Sequence, residues 1–225
     1  MTMIHIEELT KSYPTKNGVV KAMDNICLDI EEHEFVIIRG PSGSGKTSLL
    51  LALGGMLRPS AGRIIINDED IYQMSNKDRG LFRAQKIGFI FQMFHLIPYL
   101  NILENVALAA HHRISNNIRR DAIGILERLG LSHRINHKPS ELSAGERQRT
   151  AIARAMLNQP KIILADEPTG NLDPDSSNEV MNYLVTFHQR GGTVFMVTHG
   201  QEADQFADRV VLLREGILQD ANSMQ

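Results

Sequence analysis

Residues 40–47 read Gly-Pro-Ser-Gly-Ser-Gly-Lys-Thr, a spacing suited to holding a chain of phosphates. Gly40, Gly43 and Gly45 let the backbone curl tightly with its N–H groups turned inward, and Pro41, Ser42 and Ser44 complete the curl. Lys46 brings a compact positive charge to the outer phosphates, and the Thr47 hydroxyl can ligate Mg2+. A helix expected to begin here, with Ser48 in its first turn, turns the positive end of its dipole toward the same anion. The apolar run Phe35-Val36-Ile37-Ile38 precedes the curl, and helix formers fill 47–53. Strand, loop and helix follow in the order that phosphate binding needs. The expectation is a nucleotide site.

Three further places carry candidate chemistry. Ile162-Ile163-Leu164-Ala165 reads as a central parallel strand and ends in Asp166-Glu167-Pro168. Adjacent carboxylates at the C-terminal edge of such a strand stand where α/β proteins place ligands. Alternation should point them differently, so Asp166 can hold Mg2+ through water while Glu167 acts as base toward the attacking water. His199 follows a second apolar run, 193–197, and reaches the same edge, although a lone histidine there is more often an ordinary loop residue. Ser143 and Glu146 form an S-x-x-E capping box that opens a helix running to Leu157, ahead of Pro160. Gly145 weakens that helix by ~1 kcal/mol relative to alanine, a cost that makes sense where a ligand approaches the backbone. This helix start is a second candidate anion site.

The elements that must position these groups can be read in turn. Ile4, Ile6 and Leu9 alternate with polar residues, Tyr13 falls in the following loop, and Asn17-Gly18 signals a hairpin. Strands at 19–23, 26–30 and 63–67 complete an antiparallel layer beside the first core strand. Residues 87–91 form a buried strand ending at Gln92, and a mostly helical tract then extends to 158, with Asn101 capping a helix at 102 and apolar spacing over 118–130. A helix over 176–189, a strand over 193–197, a strand over 207–213 and a short strand at 217–219 close the chain.

The totals narrow the partners. With 225 residues, 42% of them hydrophobic, the chain suits one α/β domain with an insertion. A formal charge of −2 gives no electrostatic case for nucleic acid. The single cysteine, Cys27, excludes a disulfide framework and fits a reducing cytoplasm, and no Cys/His metal spacing occurs. Residues 1–7 lack the basic and apolar regions of a signal peptide. Residues 87–103 carry no charge, yet they fall short of the ~20 apolar residues of a membrane helix and are broken by Gln92, His95, Pro98 and Asn101.

With these elements in this order, the chain resembles the ATP-binding cassette of ABC transporters over nearly its whole length. The resemblance rests on residues 40–47, Gln92 at the Q-loop, Leu142-Ser143-Ala144-Gly145-Glu146 at the family signature, Asp166 and Glu167 at the Walker B strand, Asn171-Leu172-Asp173 at the D-loop, and His199 at the switch. It implies a P-loop NTPase fold: a mainly parallel core sheet, an N-terminal antiparallel β subdomain, and a helical subdomain inserted at about 93–158 in a single domain over 1–225. It also implies ATP and Mg2+ as cofactors, Tyr13 stacked on adenine, Lys46, Glu167 and His199 as catalytic groups, and Thr47, Gln92 and Asp166 around the metal, Asp166 through water. Two departures stand out. Ala144 and Glu146 replace the usual glycine and glutamine, and Gly200 follows His199 where an acid is usual, which implies altered ATP affinity and a looser hinge.

The implied partners are a second copy of the chain and an integral membrane permease. Two cassettes would pair head to tail, with ATP between the phosphate loop of one and the signature of the other. Phe-Gln-Met-Phe-His-Leu-Ile-Pro at 91–98, Glu-Arg-Gln-Arg after the signature and Pro-Thr-Gly-Asn-Leu-Asp resemble the branch of lipoprotein-release, macrolide-export and cell-division ATPases. Phe94, His95, Leu96 and Tyr99 are the expected permease contacts, with core packing the plainer reading of Met93 and Ile97. Such a chain would sit peripherally on the cytoplasmic face of the inner membrane, powering export or lipoprotein release. A non-transport ABC ATPase acting on envelope or division machinery is the rival. A P-loop kinase is disfavoured by the paired carboxylates and the signature helix.

Overall fold

The computed structural model describes residues 1–16, 18–110 and 117–220. The chain opens with β1 (Thr2–Thr15), paired antiparallel to β2 (Gly18–Glu31). Asn17 of the expected turn lies outside the described residues, while Thr15 and Gly18 form the last pair of the ladder. Tyr13 is a strand residue opposite Val20, and the two strands expected over 19–30 are one. Irregularities in register between Leu9 and Ser12, with Asn25 at φ 53°, absorb the breaks in alternation that looked like loops.

Next come β3 (Phe35–Arg39), α1 (Lys46–Leu53), β4 (Ala61–Ile66), β5 (Glu69–Asp70), α2 (Asn76–Lys86) and β6 (Ile87–Phe91). Helix α2 was not foreseen. It buries only Phe82, so apolar periodicity was silent, although Ser75 accepts from the Asp78 N–H at its start. Residues 92–101 contain no helix, contrary to a helical tract beginning at once after Gln92. Phe94 and His95 adopt left-handed backbone, φ 58° and 48°, which no helix accommodates.

The remainder comprises α3 (Ile102–Ala107), α4 (Ile118–Arg128), α5 (Ala144–Met156), β7 (Ile162–Asp166), α6 (Pro174–Gln189), β8 (Thr193–Thr198), β9 (Arg209–Arg214) and β10 (Ile217–Asp220). Asn101 and Glu104 form a capping box on α3, as Ser143 and Glu146 do on α5.

Two sheets result. A four-stranded antiparallel sheet runs β2-β1-β4-β5, and a six-stranded sheet runs β10-β9-β3-β8-β7-β6, parallel except for β10. Alternation along the central strands divides the core in two. Val36, Ile38, Leu164 and Phe195 pack with α1 and the antiparallel sheet, whereas Ile37, Ile163, Val194 and Met196 pack with α3 to α6. Each fully buried side chain of this kind contributes roughly 1.5–3 kcal/mol. That burial on both faces holds the strand ends in fixed register.

Candidate nucleotide site

Strands β3, β8, β7 and β6 are consecutive and parallel, with Arg39 opposite Thr198, Val197 opposite Asp166, and Asp166 opposite Phe91. The residue that follows each strand end is Gly40, His199, Glu167 or Gln92. Groups scattered over 160 positions of sequence therefore land along one sheet edge, where the chain leaves its ladder and side chains can converge.

A cavity of about 670 Å³ opens at that edge. Pro41, Ser42, Gly43, Gly45, Lys46, Thr47 and Ser48 line one side of it, with Gln92, Asp166, Glu167 and His199. Ala22 of β2 also lines it, which the sequence did not signal. Gly40 and Ser44 do not line it; Ser44 is buried, with its hydroxyl unpaired among the described residues. Gly45 has φ 106° and its α-carbon faces the Ala22 carbonyl so closely that a Cβ would collide with it.

Lys46 is only 7% exposed. Its ammonium donates to the carbonyls of Gly40 at 2.7 Å and Pro41 at 3.0 Å, and lies 3.9 Å from Glu167 Oε1. Thr47 donates to Asp166 Oδ1 at 3.3 Å. Burial pushes the Asp166 carboxyl above its ordinary value; the Thr47 hydroxyl and Lys46 oppose that rise, and Glu167 adds to it. Glu167 sits just beyond β7 in left-handed backbone, φ 44°. Its carboxylate accepts from Thr198 Oγ1 at 3.0 Å and His199 Nδ1 at 2.9 Å. Asp166 ends β7 and Glu167 stands just beyond it, so strand alternation does not reach Glu167, and both carboxylates line the same cavity.

Tyr13, Asp173 and residues 142–146 lie outside the lining. Tyr13 is exposed, with the Lys11 ammonium 5.3 Å from its ring centre. Asp173 caps α6, accepting from the Ser176 N–H at 2.9 Å, and the helix start holds its carboxyl below the usual value. At the start of α5, Ser143 is exposed, Leu142 is buried and Ala144 half-buried. Gly145 also packs closely on α6: a Cβ there would meet the Ser176 side chain, which disfavours a larger residue.

A family model described as ABC transporter matches residues 23–170 of this chain, well over half its length. The chain belongs to the ABC transporter family. It is an ATP-binding cassette with ATPase activity, of a kind similar to lipoprotein-releasing and macrolide-export proteins. The lipoprotein-releasing system ATP-binding protein LolD of Shewanella sp. (strain MR-7) is 41% identical over 96% of this chain and 95% of its own length. The macrolide export ATP-binding/permease protein MacB of Chlorobaculum tepidum is 40% identical over 99% of this chain, which spans only 34% of that protein. Among solved structures, the dimeric ATP-binding cassette MJ0796 in a post-hydrolysis state with ADP and Pi superposes at a TM-score of 0.90, with 37% identity, 97% of this chain and 98% of that one being covered.

Sequence reasoning missed several residues of the cassette that hold the site together. Thr198 read only as the end of an apolar run, yet it orients Glu167. Gln148, fully buried in α5, donates to the Pro168 carbonyl at 2.6 Å and so ties the signature helix to the segment after Glu167. Arg154, also in α5, donates to the carbonyls of Phe94 at 2.7 Å and His95 at 2.5 Å. A polar residue on an otherwise apolar helix face was the available signal for Gln148. Among the described residues no helix is long and apolar enough to cross a membrane.

Proposed function

We propose that this cassette hydrolyses ATP to drive a separate integral membrane permease, in export or in release of lipoproteins or peptides from the inner membrane. The observation that carries the proposal is the continuity between the cavity and an exposed, backbone-fixed segment. Gln92 lines the cavity, and the next residues present Met93 at 68% and Tyr99 at 72% exposure. Met93 is therefore not a core residue. The segment is nevertheless held: Arg154 grips the carbonyls of Phe94 and His95, and buried Asn105 bonds the N–H and C=O of Ile97 and the carbonyls of Leu100 and Asn101. Exposed apolar groups on a fixed backbone suit docking without ordering cost. Phe94, His95, Leu96 and Tyr99 are the proposed contacts.

In the reaction we propose, residues 40–47 wrap the phosphates and Lys46 leaves its loop carbonyls for the outer ones. Glu167 accepts a proton from the attacking water, oriented by His199 and Thr198. The hydroxyl of Thr47 and the carboxylate of Asp166 offer hard oxygen donors that fit Mg2+, Asp166 through water and with Gln92 nearby. Mg2+ in that position would neutralise charge on the phosphate oxygens. Tyr13 would stack on the purine.

A second copy completes the site. The Ser143 hydroxyl and the Gly145 N–H of one cassette would reach ATP bound by the other, with Leu142, Ala144 and Glu146 shaping that end and Asp173 beside the seam. The cassette would lie peripherally on the cytoplasmic face of the inner membrane. Purification from detergent-solubilised membranes tests the coupling: an integral membrane protein should co-purify, and His95→Glu with Tyr99→Glu should release it. Co-purification that survives both changes would remove this segment from its role.

A further inference from the structure

The signature end of α5 poses an electrostatic problem. A helix start attracts anions through its free N–H groups and its dipole, yet Glu146 places a carboxylate in the first turn. A triphosphate docking there would meet a like charge. The structure resolves the conflict by turning that carboxylate inward. Glu146 Oε2 accepts from the Ser143 N–H at 2.8 Å, and Oε1 accepts from Arg134 Nε at 2.9 Å. His133 Nε2 lies 3.9 Å from the same Oε1, and the Glu146 side chain is only 12% exposed. Burial alone would raise the carboxyl, but the Ser143 N–H and the guanidinium outweigh it and hold Glu146 below its ordinary value.

Arg134 is itself braced. It closes a short 3-10 turn, Ser132–Arg134, donating its N–H to the Leu131 carbonyl at 2.9 Å and accepting from the His137 N–H at 2.8 Å. That backbone keeps the guanidinium, itself a third exposed, within reach of Glu146.

We propose that Arg134 is a positioning residue for the signature end: it neutralises Glu146 and keeps that carboxylate turned away from the triphosphate bound by the partner cassette. The inference rests on the two-cassette reading above. It explains why a glutamate is compatible with a phosphate-facing helix start. A glutamine at 146 would need no compensation, and that difference makes the idea testable.

The experiment is steady-state ATPase activity of the full chain with Mg-ATP, at low and high NaCl. Arg134→Ala should raise KM for ATP about tenfold relative to wild type, and the ratio should shrink as salt screens the exposed carboxylate. Adding Glu146→Gln to Arg134→Ala should recover most of the loss, because the repelling charge is gone. If the double variant is as impaired as Arg134→Ala and the ratio ignores salt, Arg134 is only a brace and the inference falls. Should Arg134→Ala fail to fold, Arg134→Gln, alone and with Glu146→Gln, gives the same comparison. Glu167→Gln keeps the two readings apart. If it forms no Mg-ATP-dependent dimer, the two-cassette reading and this inference fall together; a dimer without rescue overturns this inference alone.

Discussion

His199 Nδ1 lies 2.9 Å from Glu167 Oε1, across the ends of two neighbouring parallel strands. An ionised carboxylate can only accept, so in this contact the histidine donates through Nδ1. Thr198 holds the other carboxylate oxygen at 3.0 Å. Glu167 is thereby fixed in direction while both partners stand on β8 or at its end.

Glu167→Gln should bind ATP, lose at least ~100-fold in turnover, and accumulate as a nucleotide-bound dimer. Activity assays and sedimentation with Mg-ATP check both outcomes together. Normal hydrolysis by this variant would remove Glu167 from its assigned role.

Thr198→Val keeps the shape of a buried side chain while removing the partner of both the Glu167 carboxylate and the Gly200 N–H. It frees one oxygen of the carboxylate, so kcat should fall about tenfold, the scale of one lost hydrogen bond to a charged group, with KM for ATP little changed. A rise in KM with constant kcat would instead place Thr198 in nucleotide binding.

Asp166 yields a prediction of opposite sign for stability and activity. Its folded-state carboxyl is raised above its ordinary value, chiefly by burial. A raised carboxyl supports the fold while it is protonated, fully so below its unfolded-state value, and that support is lost as pH rises through the folded-state value. At neutral pH the ionised group therefore weighs against folding. Asp166→Asn should raise Tm by about 2 °C at pH 7.5, with the gain shrinking as the pH falls toward the carboxylate range, and should abolish turnover. Calorimetry across pH decides; a Tm that falls at neutral pH counts against the argument.

Arg154→Met removes the donors to the Phe94 and His95 carbonyls but keeps much of the apolar stem. Phe94 and His95 should then relax from their left-handed backbone, and amide exchange over 92–96 should accelerate about tenfold. Hydrogen-exchange mass spectrometry measures it directly. Unchanged protection would show that the Arg147 guanidinium, 5.5 Å from the Phe94 ring centre, or the Phe91–His95 ring contact, suffices to hold the segment.

Much of this cassette is written locally. The phosphate curl, the capping boxes at Asn101 and Ser143, the strands β3, β6 and β7 and the stop before Pro160 are set by residues within a few positions of each other. Short-range sterics and hydrogen bonding act there, and sequence displays them. Where apolar periodicity was weak, as in α2, or where bulges interrupted alternation, as around Tyr13 and Asn25, the local signal misled.

The order of strands in the parallel sheet is another matter. Nothing near Gly40, Gln92, Glu167 or His199 announces that their strands lie side by side; that follows from burying both faces of β3, β8, β7 and β6 at once. The same holds for Thr198 against Glu167, Arg134 against Glu146 and Arg154 against the Phe94 carbonyl. Sequence by itself determined which groups can bind phosphate and move a proton. Only the packed tertiary structure decided which side chains hold those groups in direction, because such contacts join segments that are neighbours in space and strangers along the chain.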